Sequence, residues 1–300
     1  MMKPLFSYAG GKSRYLKHLG RYFVKTNTYV EPFVGAGSAF CYMNYYSLAS
    51  KFVINDINHH FMKLYADIKS NHEDVLREAL AISNEYRSID EREVPYFISD
   101  QRDLYNANPT SGRCLFFANR AFGAILGVDQ QGRLEGAFGY HLDRRSKGKI
   151  ISVKDVEEWA KALQNTEILS GPYAKVRVPG NSIVFCDPPY RGVTVNYKTK
   201  FDDADYTALF NWCSELANDP TISVIMTNYS DGLFFEGLCR DDGRVLVEYY
   251  DSCFTNGPKK LRGKEILMVW NSLGPTQRQG KLTVTRDSAS THRPLESKAE

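Results

Sequence analysis

Residues 28–40 read TYVEPFVGAGSAF, and residues 51–58 read KFVINDIN. The first stretch predicts a short strand, a turn built on two glycines and the opening of a helix. The second predicts another strand, which ends on Asp56. Strand, turn, helix and strand in this order are the start of an α/β unit.

The rest of the chain divides into a helical stretch and a return to alternating strands and helices. Between residues 59 and 120, apolar positions at spacings of three and four predict helices over 60–69, 72–87 and 91–106, with Thr110 or Ser111 as the cap of a further helix. A polar turn at Gly132 between two short apolar segments predicts a β-hairpin over 125–141. Beyond residue 150, the alternation predicts helices over 153–164 and 203–218, and strands over 166–171, 182–187, 222–228, 244–250 and 264–270.

This order predicts an α/β fold whose mostly parallel, Rossmann-like sheet is assembled from both ends of the chain. Residues 1–58 and 151–271 would form one discontinuous domain, and residues 59–150 an insertion of helices and a β-hairpin. Beyond Asn271 the sequence loses its periodicity and is rich in Ser, Thr, Gln, Arg and Pro, which predicts a flexible tail over 272–300.

The composition is that of a soluble globular chain, with 43% hydrophobic and 24% charged residues among 300. No stretch reaches the roughly 18 consecutive apolar residues of a membrane span, and the N-terminus lacks the apolar core of a signal peptide. The expected compartment is therefore the cytoplasm. The six cysteines form no CxxC pair and lie near no histidine pair of metal-ligand spacing, which predicts free thiols and no metal site.

Basic residues are clustered although the net charge is only +3. Residues 1–30 hold six Lys and Arg and no acid, and RRSKGK at 144–149 and KKLRGK at 259–264 add two further clusters. Each cluster alone fits an ordinary solvated surface. Three in one chain favour a polyanionic partner, since Lys and Arg that neutralise phosphates drive non-specific binding to nucleic acids.

The glycine turn after the first strand suits a ligand that has no pyrophosphate. In open α/β sheets ligands bind at the carboxyl ends of strands, and Asp56 follows Gly37 at about the spacing at which an acid meets a ribose hydroxyl. A nicotinamide-binding turn needs a third glycine at position 40, where this chain has Phe40. The pattern therefore favours an adenosine ligand without phosphates, with a purely structural turn as the alternative for the glycines alone.

A third strand end, IVFCDPPYRG at 183–192, suits an aromatic amine. The lone pair of such an amine is delocalised into its ring, and acceptors around its two hydrogens favour the pyramidal, nucleophilic form. The Asp187 carboxylate and the Pro188 carbonyl are such acceptors, and the prolines fix φ and remove competing backbone donors. Tyr190 offers a face on which a planar base can stack.

Five motifs follow one another along residues 3–271, namely FSYAGGK, EPFVGAGS, INDIN, CDPPY and RGKEILMVW. With these motifs in this order the chain resembles the DNA adenine N6-methyltransferase family, the Dam-like D12 class. The resemblance implies a Rossmann-like methyltransferase sheet that binds S-adenosyl-L-methionine, with residues 59–150 as an inserted target-recognition domain. It also implies double-stranded DNA as the partner and a target adenine flipped out of the stack. No metal, membrane or obligate protein partner is implied, and a reaction at a single base suits a monomer.

The resemblance also assigns roles by position. The catalytic residues, which would hold the target adenine, are Asp187, Pro188, Pro189 and Tyr190. The residues expected to bind the cofactor are Tyr8, Lys12, Glu31, Pro32, Phe33, Gly35, Gly37, Asp56, Tyr173 and Asp187. The residues expected to contact DNA are Asn119, Arg120, Arg133, Arg144, Arg145, Lys259, Lys260 and Arg262.

Two segments depart from the family pattern. Pro172 and Tyr173 stand where the family has an acidic or polar residue followed by Phe, which removes a side-chain contact to the cofactor at position 172. In the recognition segment, residues 122–125 replace the aromatic, Asn, Gly run of members that methylate GATC, and they offer few donors or acceptors for base edges. The second departure predicts relaxed or altered sequence specificity.

Other functions stay open at this point. The acceptor could be an adenine in RNA or N4 of cytosine, or the chain could be a DNA-binding protein that keeps the cofactor pocket without turnover. The intact DPPY sequence argues against the last of these. A stand-alone methylase could serve a phage, a prophage or a host, with or without a restriction-modification system, and the irregular recognition segment favours a mobile element.

Overall fold

A seven-stranded sheet lies at the centre of the chain. The computed structural model describes residues 2–6, 12, 15–121, 126, 127, 129, 133–135, 151–192, 201–256 and 259–272, with the backbone alone for residues 17, 252–256 and 259–262. The strands are β1 (Thr26–Glu31), β2 (Ala49–Asp56), β3 (Thr166–Ser170), β4 (Ser182–Cys186), β5 (Ile222–Ser230), β6 (Leu246–Asn256) and β7 (Lys259–Trp270).

The strands lie in the order β3-β2-β1-β4-β5-β7-β6. The first five strands are parallel to one another, and β7 runs antiparallel to both β5 and β6. The first five follow the strand order of a Rossmann-like sheet, which confirms the predicted α/β class. The order reverses between β1 and β4, and such a reversal opens a crevice at the carboxyl ends of the two strands.

The helices that accompany the sheet are α1 (Leu16–Leu19), α2 (Ser38–Tyr45), α3 (His59–Ser88), α4 (Val94–Ala107), α5 (Ser111–Ala118), α6 (Val153–Leu163), α7 (Asp203–Leu216) and α8 (Phe234–Asp242). The predicted helices over 60–69 and 72–87 are the two halves of α3, which is kinked where Asn71 has non-helical angles (φ −156°, ψ 77°). Sequence patterns did not predict α8. Gly237 lies within this helix and Gly232 and Gly243 flank it, and glycines are typical of loops. The Asp231 carboxylate accepts from the backbone amides of Leu233 and Phe234 at the start of the helix.

Two hydrophobic clusters cover the two faces of the sheet. Along β4, Ile183 and Phe185 belong to one cluster, and Val184 and Cys186 to the other. All five residues of β4 are buried, which is why its sequence is a continuous apolar run instead of an alternating one. The described cysteines, at 41, 114, 186, 213 and 239, are buried free thiols, as predicted.

The helical stretch between β2 and β3 packs on one of these faces. Tyr65 of α3 stacks on Trp159 of α6 with ring centroids 4.8 Å apart, and its hydroxyl donates to the Gly35 carbonyl at 2.7 Å. Buried residues of α3, α4 and α5 belong to the same hydrophobic cluster as Ile183 and Phe185 of β4. The division of the chain into a catalytic domain and an inserted domain stays a prediction.

The predicted β-hairpin is described only in part. The Asp129 amide donates to the Arg133 carbonyl at 2.7 Å, and the Glu135 amide donates to the Gly127 carbonyl at 2.9 Å, a pairing expected of two antiparallel arms. The remainder of 125–141, the basic cluster at 144–149 and residues 273–300 of the predicted tail lie outside the described residues. No helix among the described residues is both long and apolar enough to cross a membrane.

Gly37 closes the turn between β1 and α2 in a conformation that suits only glycine. Its φ is +72°, and a Cβ atom placed there would lie 2.5 Å from Cη2 of Trp159. The indole ring of Trp159 is fully buried, so it cannot easily move aside. Backbone conformation and packing therefore both require glycine at this position.

Replacing Gly37 by Ala is expected to destabilise the fold through both effects. The positive φ costs about 1–2 kcal/mol for an L-residue, and the clash with Trp159 adds about 1–3 kcal/mol. Gly243 is a matched control because its φ is +70° and a Cβ atom placed there would have no neighbour within 4 Å. Urea unfolding should show a distinctly larger loss for Gly37→Ala than for Gly243→Ala, and equal losses would contradict the packing argument.

Asp242 ties the end of α8 to the last residue of β7. Its carboxylate accepts from Nε1 of Trp270 at 3.0 Å, from Nε of Arg244 at 2.7 Å and from the Ser214 hydroxyl. Burial alone would raise the pKa of Asp242, but the hydrogen bonds from Arg244, Ser214 and Trp270 hold that pKa at about 2. An ionised Asp242 therefore stabilises the folded chain.

The contribution of Asp242 should depend on pH in a defined direction. Because its folded pKa is depressed, the stabilisation is fully present above the unfolded value of about 3.9 and is lost as pH falls through about 2. Asp242→Asn is expected to lower the free energy of unfolding by about 2 kcal/mol near neutral pH, with a deficit that shrinks on acidification. Asp241→Asn, at the exposed neighbouring position, is the control. A deficit for Asp242→Asn that does not change with pH would refute the assignment.

Candidate active site

Three carboxylates come together where the strand order reverses. Glu31 is the last residue of β1, Asp187 follows the last residue of β4, and Asp56 is the last residue of β2. Because β1 lies between β2 and β4 and all three are parallel, their carboxyl ends meet at one edge of the sheet. The sequence predicted strands that end on Asp56 and on Asp187, and both residues do lie at strand ends.

The glycine turn is held by the end of β2. Asp56 accepts from the Gly35 amide through Oδ2 and from the Asn58 amide through Oδ1, each at 2.9 Å. The Asn55 side chain donates to the Pro32 carbonyl at 3.0 Å and to the Gly171 carbonyl at 2.9 Å. Burial raises the pKa of Asp56, and hydrogen bonds from three backbone amides, those of Asn58, Gly35 and Ile57, oppose that rise. The turn is thus fixed against β2 before any ligand arrives.

Glu31 is a buried carboxyl group, 2% exposed. Its Oε2 accepts from the Tyr29 hydroxyl at 2.9 Å. Burial raises the pKa of Glu31 well above its usual range, the Tyr29 hydroxyl opposes this, and the nearby charges of Asp187 and Asp56 raise it further. A cation beside Glu31 would favour the ionised form, so this position suits a positively charged group.

Asp187 is paired with a buried lysine. Nζ of Lys12 lies 2.8 Å from Asp187 Oδ1, and the Thr227 hydroxyl donates to the same oxygen at 2.9 Å. The side chains of Lys12 and Asp187 are 4% and 19% exposed. Since both donors reach Oδ1, Oδ2 is the oxygen that can accept a hydrogen from a ligand amine.

Tyr190 lies beside this ion pair. Nζ of Lys12 is 4.4 Å from the centre of the Tyr190 ring, and the Tyr190 hydroxyl donates to Oε2 of Glu265 at 2.6 Å. The Tyr206 hydroxyl donates to the Pro189 carbonyl at 2.8 Å, whereas no described residue donates to the Pro188 carbonyl. The Pro188 carbonyl and Asp187 Oδ2 therefore remain as two acceptors next to an aromatic ring.

An aromatic surface flanks the glycine turn. The Tyr173 ring centre lies 5.5 Å from that of Phe33 and 5.4 Å from that of Trp212. Tyr173 begins a short 3-10 helix, Tyr173–Lys175, directly after the exposed Pro172. These partly buried rings offer apolar faces beside Pro32 and the glycines, on which a second planar group could lie.

The residues expected to contact DNA have different environments. Arg133 is exposed and pairs with Asp129 at 2.7 Å. The Asn119 side chain donates to the Leu115 carbonyl at 2.9 Å. Arg120 is only 5% exposed, and its guanidinium lies 4.5 Å from the Tyr86 ring and 4.1 Å from the Phe116 ring, an arrangement that favours a packing role for this residue.

Other expected site residues have no described side chain. Tyr8, Arg144 and Arg145 lie outside the described residues, and only the backbone of Lys259, Lys260 and Arg262 is described, as part of β7. Their roles stay predictions.

Sequence reasoning missed the partners of the DPPY loop, which are Thr227, Asn228, Tyr206 and Glu265. Thr227 and Asn228 do carry a signal, since they are polar residues at the end of an otherwise apolar strand. Glu265 carries another, since it is a lone acid at the start of the apolar run EILMVW. Neither sequence signal predicts which residue of the DPPY loop these side chains contact.

Proteins of named activity are similar to this chain over most of its length. The type II methyltransferase M.MjaIII of Methanocaldococcus jannaschii is 25% identical over 294 residues, which cover 90% of this chain and 99% of that protein. The DNA adenine methylase of Escherichia coli is 25% identical over 279 residues, which cover 89% of this chain and 95% of that protein.

Solved structures are more distant. A human methyltransferase 10 domain containing protein has 8% identity and a TM-score of 0.35, with coverage of 86% of this chain and 80% of that one. This likeness is too weak to bear on function.

The family described as D12 class N6 adenine-specific DNA methyltransferase matches residues 8–255, which is most of the chain. The strand-end carboxylates, the glycine turn and the DPPY loop all fall inside that match, and the chain therefore belongs to the D12 class of N6 adenine-specific DNA methyltransferases.

Proposed function

We propose that the chain uses S-adenosyl-L-methionine to methylate N6 of an adenine flipped out of double-stranded DNA, with Asp187, Pro188, Pro189 and Tyr190 holding the base. The observation that carries this proposal is the pair of acceptors, Asp187 Oδ2 and the Pro188 carbonyl, beside the ring of Tyr190. An exocyclic amine has two hydrogens and belongs to a planar ring. Two acceptors and one stacking surface are what such a group requires.

The chain's own residues fit the proposed cofactor. When bound, S-adenosyl-L-methionine supplies an electrophilic methyl group on a sulfonium and also carries an ammonium group. Glu31 is a buried carboxyl that a nearby cation would stabilise. Asp56 accepts three backbone hydrogen bonds, which leaves about one of its four lone-pair sites for a ribose hydroxyl. The tight turn of Gly35 and Gly37 permits close approach to the backbone, and the Tyr173 and Phe33 rings suit an adenine.

Asp187 and its donors would prepare the target amine. The carboxylate accepts one amine hydrogen and the Pro188 carbonyl the other, which draws the nitrogen lone pair out of the ring and towards reaction. Lys12 and Thr227 hold Oδ1 in place, so Oδ2 presents a fixed acceptor without reorganisation during the reaction. Catalysis in this proposal is mainly positioning, and it needs no metal.

Flipping the adenine out of the duplex has to be offset by contacts. Unstacking and unpairing cost a few kcal/mol, and stacking on Tyr190 would return about 1–3 kcal/mol. Exposed basic residues such as Arg133, together with the clusters at 144–149 and 259–264, would neutralise DNA phosphates. We assign the reaction to residues 1–58 and 151–271, and recognition of the target to residues 59–150.

The acceptor role of Asp187 predicts a specific loss. Asp187→Ala is expected to slow methyl transfer by at least about a hundredfold, as for removal of a fixed polar group at a reacting centre. DNA binding measured by fluorescence anisotropy should change far less. Glu215→Ala, at an exposed position of α7, is the control and should keep wild-type transfer. A transfer rate for Asp187→Ala within about threefold of wild type would refute the acceptor role of Asp187.

Sequence specificity is proposed to be relaxed or altered relative to GATC. The segment at residues 119–139 offers few side chains that could read base edges. Incubation of plasmid DNA with labelled S-adenosyl-L-methionine, nucleoside analysis and mapping of the modified positions should show N6-methyladenine in several sequence contexts. N6-methyladenine found only in GATC would keep the reaction and refute relaxed specificity, and no transfer to DNA would refute the proposed function.

A further inference from the structure

We propose that Glu265 is a positioning residue that fixes the Tyr190 ring for stacking against the target adenine, an inference that rests on the function proposed above. The Tyr190 hydroxyl donates to Glu265 Oε2 at 2.6 Å, a length typical of hydrogen bonds from a hydroxyl to a carboxylate. The two residues are 75 positions apart in the chain. This contact therefore links the DPPY loop to the final strand of the sheet.

The backbone of Glu265 is held by a paired strand on each side. In β7 it lies opposite Tyr229 of β5 and opposite Tyr250 of β6, so two antiparallel ladders fix its Cα. The residue is only 2% exposed. A group on such a strand can hold a neighbour more accurately than one on a loop can.

The DPPY loop is held at several points, since Lys12 and Thr227 hold the Asp187 carboxylate and other residues hold the backbone and the Tyr190 ring. Tyr206 holds the Pro189 carbonyl at 2.8 Å, and Asn228 Oδ1 accepts from the Arg191 amide at 3.0 Å. Both of these act on the backbone. The orientation of the Tyr190 ring depends on its own χ angles, and the hydroxyl bond to Glu265 restrains the far end of that ring.

The burial of a carboxylate at this place calls for an explanation. A buried charge is costly unless it is paired, and the following residues of β7, Ile266 and Leu267, show that the strand otherwise carries apolar side chains here. An apolar residue at position 265 would serve packing alone. A carboxylate at this position can accept the hydrogen bond from the Tyr190 hydroxyl, which an apolar side chain cannot do. The bond fixes the ring, and a fixed ring presents its face to the base in one orientation.

The expected consequence concerns the rate of transfer more than the affinity for DNA. Loss of the restraint lets the Tyr190 ring tilt, and the target amine then spends less time between Asp187 and the Pro188 carbonyl. Small displacements of this kind reduce rates strongly because the reacting groups must be aligned. Affinity for DNA comes largely from phosphate contacts elsewhere, and it should change little.

The test compares Glu265→Leu, Glu265→Gln, Tyr190→Phe and the double variant Glu265→Leu with Tyr190→Phe. Single-turnover methyl transfer to plasmid DNA is measured at saturating S-adenosyl-L-methionine, together with DNA binding. Glu265→Leu and Tyr190→Phe should each slow transfer about tenfold, with DNA affinity within about twofold. The double variant should be no slower than either single variant, because both substitutions remove the same hydrogen bond.

Two further variants separate positioning from general stability. Glu265→Gln keeps an oxygen acceptor in the same place and should remain within about threefold of wild type. Glu248→Leu removes an acid from β6 of the same hairpin, where it pairs with Arg21 away from Tyr190, and should leave the rate unchanged. Should Glu265→Leu fail to fold, Tyr190→Phe decides alone, because it keeps the ring and removes the bond.

The outcomes are distinct for the two proposals. Transfer by the wild-type chain with an unchanged Tyr190→Phe rate, or with losses that multiply in the double variant, overturns the positioning role and keeps the function. Absence of transfer by the wild-type chain overturns the function and the inference together. Equal, non-additive losses with rescue by Glu265→Gln support the positioning role.

Discussion

The parallel pairing of β1 with β4 is the constraint on which the site depends. Thr28, Tyr29 and Val30 lie opposite Ser182, Ile183 and Val184, so the pairing joins segments more than a hundred residues apart. It brings Glu31 and Asp187 to the same edge and creates the reversal of strand order that opens the crevice. Helices α3 to α6 lie in the connection between β2 and β3, so the long helix α3 can pack on the sheet without interrupting it.

The electrostatics of the crevice contrast with those of the whole chain. The net charge is +3, and the sequence holds three basic clusters, one of which includes Lys12. The strand ends themselves hold Glu31, Asp56 and Asp187, and Lys12 is paired there with Asp187. An acidic crevice suits a ligand with two positive centres, and basic outer surfaces suit a polyanion. The positively charged ligand and the polyanion therefore suit different parts of the chain and do not compete for one site.

Local sequence predicted the strand ends but not their partners. Turn glycines, the buried run of β4 and the residues Asp56 and Asp187 follow from short patterns, because strand burial and glycine turns are encoded within a few residues. The pairs Lys12 with Asp187 and Tyr190 with Glu265 depend on tertiary contacts that no short pattern specifies. Arg120 illustrates the same limit, since a basic residue near a helix end has the same sequence signal whether it faces solvent or two aromatic rings.

The antiparallel direction of β7 has a consequence for synthesis of the chain. Because β7 runs against its neighbours, its early residues reach the edge at which the parallel strands end, and Glu265 arrives there from the last described strand. A nascent chain that still lacks β7 also lacks the Glu265 carboxylate that accepts from the Tyr190 hydroxyl, and it leaves one side of β5 unpaired. The contact of Tyr190 with Glu265 can therefore form only after β7 has been synthesised, long after Lys12 has been.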